Sequence, residues 1–209
     1  MKTKHAPIVL LSAFMLFAAQ VQAESLVDGS IEAGKAKALT CTACHGAEGN
    51  SSIPTWPNIA GQSAGYIVTQ LNAFKGGLRT DPLMAPQAMM LSEEDMRNVA
   101  VYFESLPAAA MAVANPATVS RGEALYRGGN TDAGIPACLA CHGPTGRGNP
   151  AANYPAIQGQ HATYAAKQLR DYASGARKSD GKTRIMRDIS SRLSADDIEA
   201  LASYVQGLH

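Results

Sequence analysis

The sequence predicts an all-α protein built from two similar helical domains in tandem. An internal repeat runs through both halves, apolar residues recur at helical three- and four-residue steps in each half, and strand signals are absent. An N-terminal leader would leave about 186 of the 209 residues, which suits two domains of about 90 residues each. A domain that small has a thin hydrophobic core and gains from an apolar cofactor inside it.

The repeat extends well beyond the cysteine motifs on which the halves align. Trp-Pro-Asn-Ile at 56–59 matches Tyr-Pro-Ala-Ile at 154–157, and Gly-Gln at 61–62 matches Gly-Gln at 159–160. Amphipathic stretches follow at the same offset in both halves and predict helices with one buried face. They run from Tyr66 to Phe74 and from Tyr164 to Tyr172.

The last helix of each half begins with the same local chemistry. Ser92 and Ser194 are predicted N-caps, and an aspartate three residues later completes a capping box. Apolar residues placed to form hydrophobic staples flank both caps: Leu91 with Met96, and Leu193 with Ile198.

The remaining segments complete the predicted domain plan. Short helices are expected from Glu32 to Leu39 and from Arg121 to Tyr126, before each cysteine motif. An Ala-rich stretch with two prolines, at about 107–120, is typical of a linker. We therefore expect an N-terminal domain at 24–110 and a C-terminal domain at 111–209.

All four cysteines belong to two Cys-x-x-Cys-His motifs, at Cys41, Cys44 and His45 and at Cys138, Cys141 and His142. In this pattern the thiols form thioethers with the vinyl groups of a haem, and the histidine ligates the iron. A redox disulfide or a zinc site would use the cysteines but would leave both histidines without a role. The sequence therefore predicts two covalently bound haem c groups.

The first 23 residues have the features of a secretory signal peptide. A positive start is followed by an apolar stretch at 8–19 and by Val-Gln-Ala at 21–23, a small-residue cleavage site. The apolar stretch is shorter than the roughly 20 residues that cross a bilayer. These features predict a protein exported to the periplasm, with a retained N-terminal anchor as the alternative.

The charge is balanced overall but differs between the halves. Residues 24–110 hold 5 basic and 9 acidic residues, a net charge of −4, whereas residues 111–209 hold 11 and 8, a net charge of +3. The balance argues against nucleic acid as a partner. The asymmetry either orients the protein toward a redox partner or attracts the two halves to each other.

The second axial ligand of each iron is predicted by counting. The first half has no spare histidine, and in the second half Met186 is the only methionine after the haem motif. Met186 lies eight residues before Ser194, and Met84 lies eight residues before Ser92, so the repeat selects Met84. Met89 and Met90 remain competitors of Met84, and His161 remains a competitor of Met186.

Residues around the ligands can also be assigned roles. Each haem-ligating histidine needs an acceptor for its other ring nitrogen, and the backbone carbonyls of Pro57 and Pro155 are the candidates. The haem propionates need donors, which side chains at matching positions of the repeat can supply. These donors are Trp56, Tyr154, Arg79 and Arg177.

The chain resembles the cytochrome c4 family over essentially the whole mature sequence. The stretches that carry the resemblance include CTACHGAEGNS, GLRTDPLMAP, RGGNTDAGIPACLACHGPTGRGN and YPAIQGQHATYAAKQL. The resemblance implies two class I cytochrome c domains related by a pseudo-twofold axis, with haem propionates near the interface. It also places the axial methionines at Met84 and Met186.

The resemblance implies a non-enzymatic electron carrier of the respiratory chain. Electrons would come from an upstream quinol-oxidising complex and pass toward a terminal oxidase, with peripheral association of the protein with the inner membrane. Closed His/Met coordination, which leaves no position for a substrate, agrees with a carrier. The alternative is a di-haem peroxidase or a sulfur-compound dehydrogenase, in which one iron must be open.

Overall fold

The computed structural model describes residues 25–209, and the predicted signal segment at 1–23 lies outside them. The described residues form two helical domains, each with five α-helices. The first has α1 (Ile31–Lys37), α2 (Leu39–His45), α3 (Ala64–Lys75), α4 (Met84–Met89) and α5 (Glu93–Glu104). The second has α6 (Val119–Gly128), α7 (Leu139–His142), α8 (Ala162–Ser174), α9 (Ile185–Ser190) and α10 (Ala195–Gln206).

The predicted all-α class is confirmed. Within residues 25–209 no β-strand occurs, and the only extended pairings are two isolated bridges, Asn130 with Ile135 and Asn149 with Tyr154. None of the helices in this range is long and apolar enough to cross a membrane.

In each domain the first helix crosses the last one in direct backbone contact at a glycine. A β-carbon on Gly34 of α1 would lie 2.0 Å from the carbonyl oxygen of Asn98 in α5. One on Gly122 of α6 would lie 2.3 Å from the carbonyl oxygen of Ala200 in α10. Only a residue without a side chain permits this approach, so the two glycines set the distance between the terminal helices.

The capping boxes predicted for the last helices are both present. The Ser92 hydroxyl accepts from the backbone N–H of Asp95 at 3.0 Å, and Ser194 accepts from that of Asp197 at 3.1 Å. The carboxylate of each aspartate in turn accepts a hydrogen bond from the backbone N–H of its serine. In the first domain the apolar residues beside the cap lie in the core, where Met96 is fully buried.

Four short helices are not evident from hydrophobic periodicity, because each is only one or two turns long. Two of them, α2 and α7, carry the cysteine motifs, and α4 and α9 begin at or just before the predicted methionine ligands. The core of the first domain contacts Cys41 and Met84. The core of the second contacts Cys138, so both cores lie against the cysteine motifs.

The two domains pack through reciprocal contacts that relate equivalent residues by a pseudo-twofold axis. Gln62 binds the backbone of Ala156, and its repeat partner Gln160 binds the backbone of Asn58. The segment that connects the domains forms hydrogen bonds with both of them. The carbonyl oxygen of Pro107 accepts from Asn50 in the first domain, and Asn115 exchanges hydrogen bonds with Ser203 in the second.

Gly122→Ala is expected to destabilise the protein, because the new methyl group overlaps a helix backbone that cannot move aside. Overpacking of this kind costs about 1–3 kcal/mol in the free energy of unfolding. Denaturant titration followed by far-UV circular dichroism measures the change.

Gly128→Ala is the matched control, since Gly128 belongs to the same helix and a β-carbon there has no neighbour within 4 Å. This variant is expected to unfold within about 0.5 kcal/mol of the unsubstituted protein. Equal destabilisation of the two variants would contradict the proposed helix contact.

Candidate haem sites

Both Cys-x-x-Cys-His motifs lie in short helices. Helix α2 carries Cys41 and Cys44 three residues apart, so the two thiols share one helix face, and it ends at His45. In the second domain Cys138 precedes the first residue of α7, which contains Cys141 and His142. All four cysteines are free and half-buried. Each motif therefore presents two thiols and a histidine from one helical segment, as covalent haem attachment requires.

The environment of the thiols does not favour the disulfide or zinc interpretations. Burial raises the pKa of the Cys41 thiol and raises the pKa of Cys138 to about 11. Reactive redox cysteines have a lowered pKa instead. Within residues 25–209, no group of three His, Cys, Asp or Glu side chains converges to hold a metal ion, as a four-cysteine zinc site would require.

The histidine of each motif is buried and oriented by one hydrogen bond. Nδ1 of His45 lies 2.9 Å from the carbonyl oxygen of Pro57, and Nδ1 of His142 lies 2.9 Å from that of Pro155. Because a carbonyl oxygen can only accept, Nδ1 carries the hydrogen and Nε2 keeps its lone pair. Burial lowers the pKa of both imidazoles from the ordinary value, which favours the neutral ring that ligates iron.

The loops that carry the two prolines are held by a glycine each. The carbonyl oxygen of Gly49 accepts from the backbone N–H groups of Ile59 and Ala60, and that of Gly146 accepts from Ile157 and Gln158. Gly49 has φ +74° and Gly146 has φ +75°, a region that side chains disfavour. The glycines thus let the chain fold back and bring each proline carbonyl to its histidine.

The three methionines considered for the first haem differ in exposure. Met84 is half-buried against the core of the first domain, and the carboxylate of Asp81 accepts from its backbone N–H at 3.0 Å. Met89 and Met90 lie at the other end of α4, with 61% and 65% of their surface exposed. The environment therefore favours Met84 as the ligand.

In the second domain, Met186 is half-buried in the first turn of α9 and is flanked by a buried ion pair. Its neighbour Arg187 donates through Nε to Asp180 at 2.7 Å, and its backbone N–H donates to the same carboxylate at 3.0 Å. The side chains are only 12% and 5% exposed. This pair fixes the loop before Met186, and the sequence analysis did not identify it.

His161, the competitor of Met186, is engaged elsewhere. The side chain is buried, and Nε2 lies 2.8 Å from the backbone carbonyl oxygen of Ser51 in the other domain. The ring nitrogen that would ligate iron therefore joins the two domains instead.

The two arginines predicted to bind propionates meet at the domain interface. Arg79 donates to Gln70 in its own domain and to Tyr164 and Gln168 in the other. Arg177 makes the reciprocal set, donating to Gln168, Tyr66 and Gln70. Arg177 is only 4% exposed, so solvation at the surface does not account for it. Trp56 and Tyr154 are both half-buried at their matching positions.

Comparison with known proteins agrees with this geometry. The cytochrome c family model matches residues 31–107 and again residues 119–209. Cytochrome c4 of Pseudomonas aeruginosa is 47% identical over 181 residues, which cover 87% of this chain and 90% of the relative. The crystal structure of reduced recombinant cytochrome c4 from Pseudomonas stutzeri superposes with a TM-score of 0.84 at 44% identity, covering 87% of this chain and 100% of that one.

A relative with lower sequence identity is described as the electron acceptor of an enzyme and not as a cytochrome c4. The thiosulfate dehydrogenase electron acceptor of Stutzerimonas stutzeri is 34% identical over 207 residues, covering 98% of this chain and 95% of the relative.

The repeated fold and the paired haem motifs define a tandem di-haem c-type cytochrome. Two cytochrome c domains account for nearly all of the described chain. The chain belongs to the cytochrome c4 family. It carries two covalently bound haem c groups, and it is an electron carrier rather than an enzyme.

Asp180→Asn is expected to destabilise the second domain, because it leaves the Arg187 guanidinium buried without a counter-charge. Loss of one partner of a buried pair costs about 3–5 kcal/mol, and an asparagine that still accepts hydrogen bonds keeps the effect near the lower end. Thermal unfolding of the haem-loaded protein measures the change.

Asp188→Asn is the matched control, since it breaks the neighbouring Arg184–Asp188 pair, whose side chains are 58% and 55% exposed. Exposed pairs contribute about 0–1 kcal/mol. If the control loses as much stability as Asp180→Asn, the buried pair does not have the role assigned to it.

Proposed function

We propose that each haem iron is held between a histidine and a methionine, His45 with Met84 and His142 with Met186. Cys41, Cys44, Cys138 and Cys141 form the thioether bonds. The observation that carries this assignment is the buried imidazole beside two thiols, present once in each domain with the same 2.9 Å hydrogen bond to a proline carbonyl. The half-buried position of both methionines supports them as the opposite ligands.

Ligation by one histidine and one methionine explains how the protein can carry electrons without acting as an enzyme. When bound, haem c supplies an iron that accepts and releases one electron. With a histidine and a methionine as its ligands, the iron would have no position left for a substrate. The buried histidine and the anchored methionine helix limit movement between the two oxidation states. Little reorganisation is therefore needed when an electron arrives or leaves.

The interface arginines support a site for the haem propionates. Within residues 25–209, neither Arg79 nor Arg177 takes part in a salt bridge, and the oxygens that accept from them are the neutral oxygens of glutamine, tyrosine and Ser179. Two guanidinium charges near a buried interface require an anion. Propionate carboxylates fit this requirement, with Trp56 and Tyr154 as further donors.

We infer a domain organisation and a location from the same features. Residues 1–23 act as a secretory signal, 24–110 and 111–209 form the domains, and about 107–120 connect them. The protein then works in the periplasm and associates loosely with the inner membrane. The leader pattern at 1–23 and the need to attach haem to reduced cysteine pairs after export support this location.

The partners in this proposal are a quinol-oxidising complex as donor and a terminal oxidase as acceptor. The likeness to cytochromes c4 supports this assignment. A second candidate donor is a thiosulfate dehydrogenase, because one relative that covers nearly the whole chain is described as its electron acceptor. Both assignments use the same carrier chemistry and differ only in the protein that docks.

Replacement of the proposed methionine ligands tests the assignment. Met–iron ligation gives the oxidised protein a weak long-wavelength charge-transfer band, and Met186→Ala and Met84→Ala should each remove about half of its intensity because one of two haems loses its sulfur ligand. The reduced variants should also bind carbon monoxide at one iron. Visible spectroscopy measures both changes.

Met89→Ala and Met90→Ala are the controls for Met84, since both side chains belong to or border α4 but are exposed. They should retain the full band and remain inert to carbon monoxide. A full band in Met84→Ala together with a halved band in either control would show that Met84 is not the ligand and that the exposed methionine is.

A further inference from the structure

The two glutamines of the repeated Gly-Gln pair each bind a backbone segment of the opposite domain. Gln160 accepts from the N–H of Asn58 at 3.0 Å and donates to its carbonyl oxygen at 2.8 Å. Gln62 accepts from the N–H of Ala156 at 3.0 Å and donates to its carbonyl oxygen at 2.8 Å. Each amide oxygen also accepts from the backbone N–H of the next residue, Ser63 or His161. Because the oxygen faces only donors and the nitrogen faces an acceptor, the orientation of each amide is fixed.

The bound segments are the ones that orient the haem-ligating histidines. The N–H of Asn58 and the carbonyl of Pro57 belong to the same peptide unit, and that carbonyl accepts from Nδ1 of His45. An unbroken chain of hydrogen bonds therefore runs from His45 through one peptide group to Gln160.

The second domain contains the same chain in the opposite direction. Nδ1 of His142 donates to the carbonyl oxygen of Pro155, and the N–H of the same peptide unit, on Ala156, donates to Gln62. Each histidine is thus connected to a glutamine of the other domain. Asn58 is buried, so water does not readily replace the glutamine there.

A peptide group transmits polarisation between its two ends. When its N–H donates to an acceptor, the carbonyl oxygen gains negative charge and accepts more strongly, which is the cooperative strengthening of linked hydrogen bonds. A stronger acceptor at Nδ1 makes the imidazole a more basic ligand. A more basic ligand favours ferric over ferrous iron and lowers the reduction potential.

We propose that Gln62 and Gln160 are positioning residues that tune the haem of the opposite domain. Gln160 acts on the first haem through Pro57 and His45, and Gln62 acts on the second haem through Pro155 and His142. The domain interface thereby sets both reduction potentials. This inference rests on the proposed role of His45 and His142 as iron ligands.

The test measures both haem potentials in Gln160→Leu and Gln62→Leu. Gln160→Leu should raise the potential of the first haem and Gln62→Leu that of the second, because the proline carbonyl becomes a weaker acceptor. Loss of a group that hydrogen-bonds a metal ligand directly costs about 10–100-fold. Each glutamine is two hydrogen bonds from its histidine, so the expected change is at most the lower value, about tenfold, which is about 59 mV for a one-electron couple. Spectroelectrochemistry gives the potentials, and NMR of the ligand resonances assigns each one to its haem.

A second readout follows the hydrogen bond itself. In the reduced form, the Nδ1 proton of His45 should move upfield in Gln160→Leu as its hydrogen bond weakens, while that of His142 stays unchanged. Gln160→Asn should give the same pattern with less disturbance of packing, since its amide is one methylene too short to reach Asn58.

Thr69→Val is the matched control for loosening of the interface. It removes the 3.0 Å hydrogen bond from Asn153 of the other domain but touches neither proline peptide. Both potentials should stay unchanged in this variant. The inference is supported if each glutamine variant shifts the potential of the haem in the opposite domain and Thr69→Val shifts neither potential.

The inference is overturned if each glutamine variant shifts the haem of its own domain, shifts both haems equally or shifts neither. Its failure can be told from failure of the ligand assignment. The assignment of His45 and His142 fails if NMR of the unsubstituted protein shows no haem-shifted ring resonances from these histidines. The present inference fails when those resonances are present but each glutamine variant leaves the potential of the opposite haem unchanged.

Discussion

The hydrogen bond from each motif histidine to a proline carbonyl is the interaction on which the rest of the structure depends. It fixes the tautomer, so that Nε2 of His45 and of His142 keeps the lone pair that a metal needs. It requires the loops at Pro57 and Pro155 to turn back beneath the short motif helices, which Gly49 and Gly146 permit. Burial lowers the pKa of both imidazoles, which favours the neutral ring that can bind a metal.

The domain interface uses these same loops, so docking of the two domains also holds the peptide groups that face the two histidines. The residues that follow both prolines bind glutamines of the other domain, and the neighbouring Arg79 and Arg177 share tyrosine and glutamine oxygens across the boundary. The domains differ most in the segments that carry the proposed methionine ligands, Met84 and Met186. The first presents exposed Leu83, Met89 and Met90, whereas the second holds its loop with a buried ion pair. Such a difference gives the two haem sites distinct surroundings.

What the sequence could predict was local or repeated. The capping boxes depend on residues three apart, and both are present as predicted. The choice of Met84 by its offset from Ser92 also uses the repeat, and it stays a prediction. The contacts that it could not predict join distant positions. Gln62 and Ala156 are 94 residues apart, and Gln160 and Asn58 are 102 apart, so their pairing depends on how the domains dock. The Asp180–Arg187 pair was missed because it depends on a loop in which Arg184 adopts φ +54°, a conformation that its sequence does not signal.

NMR of the fully reduced protein, labelled with ¹³C at the methionine methyl groups, tests most directly whether each iron has a methionine sulfur as a ligand. The haem ring current shifts the methyl group of an iron-bound methionine far upfield. Of the 8 methionines in the sequence, two are predicted to give such signals, one from each domain. A spectrum with fewer than two upfield methyl signals would mean that at least one iron has another ligand or an open position, and would contradict the account.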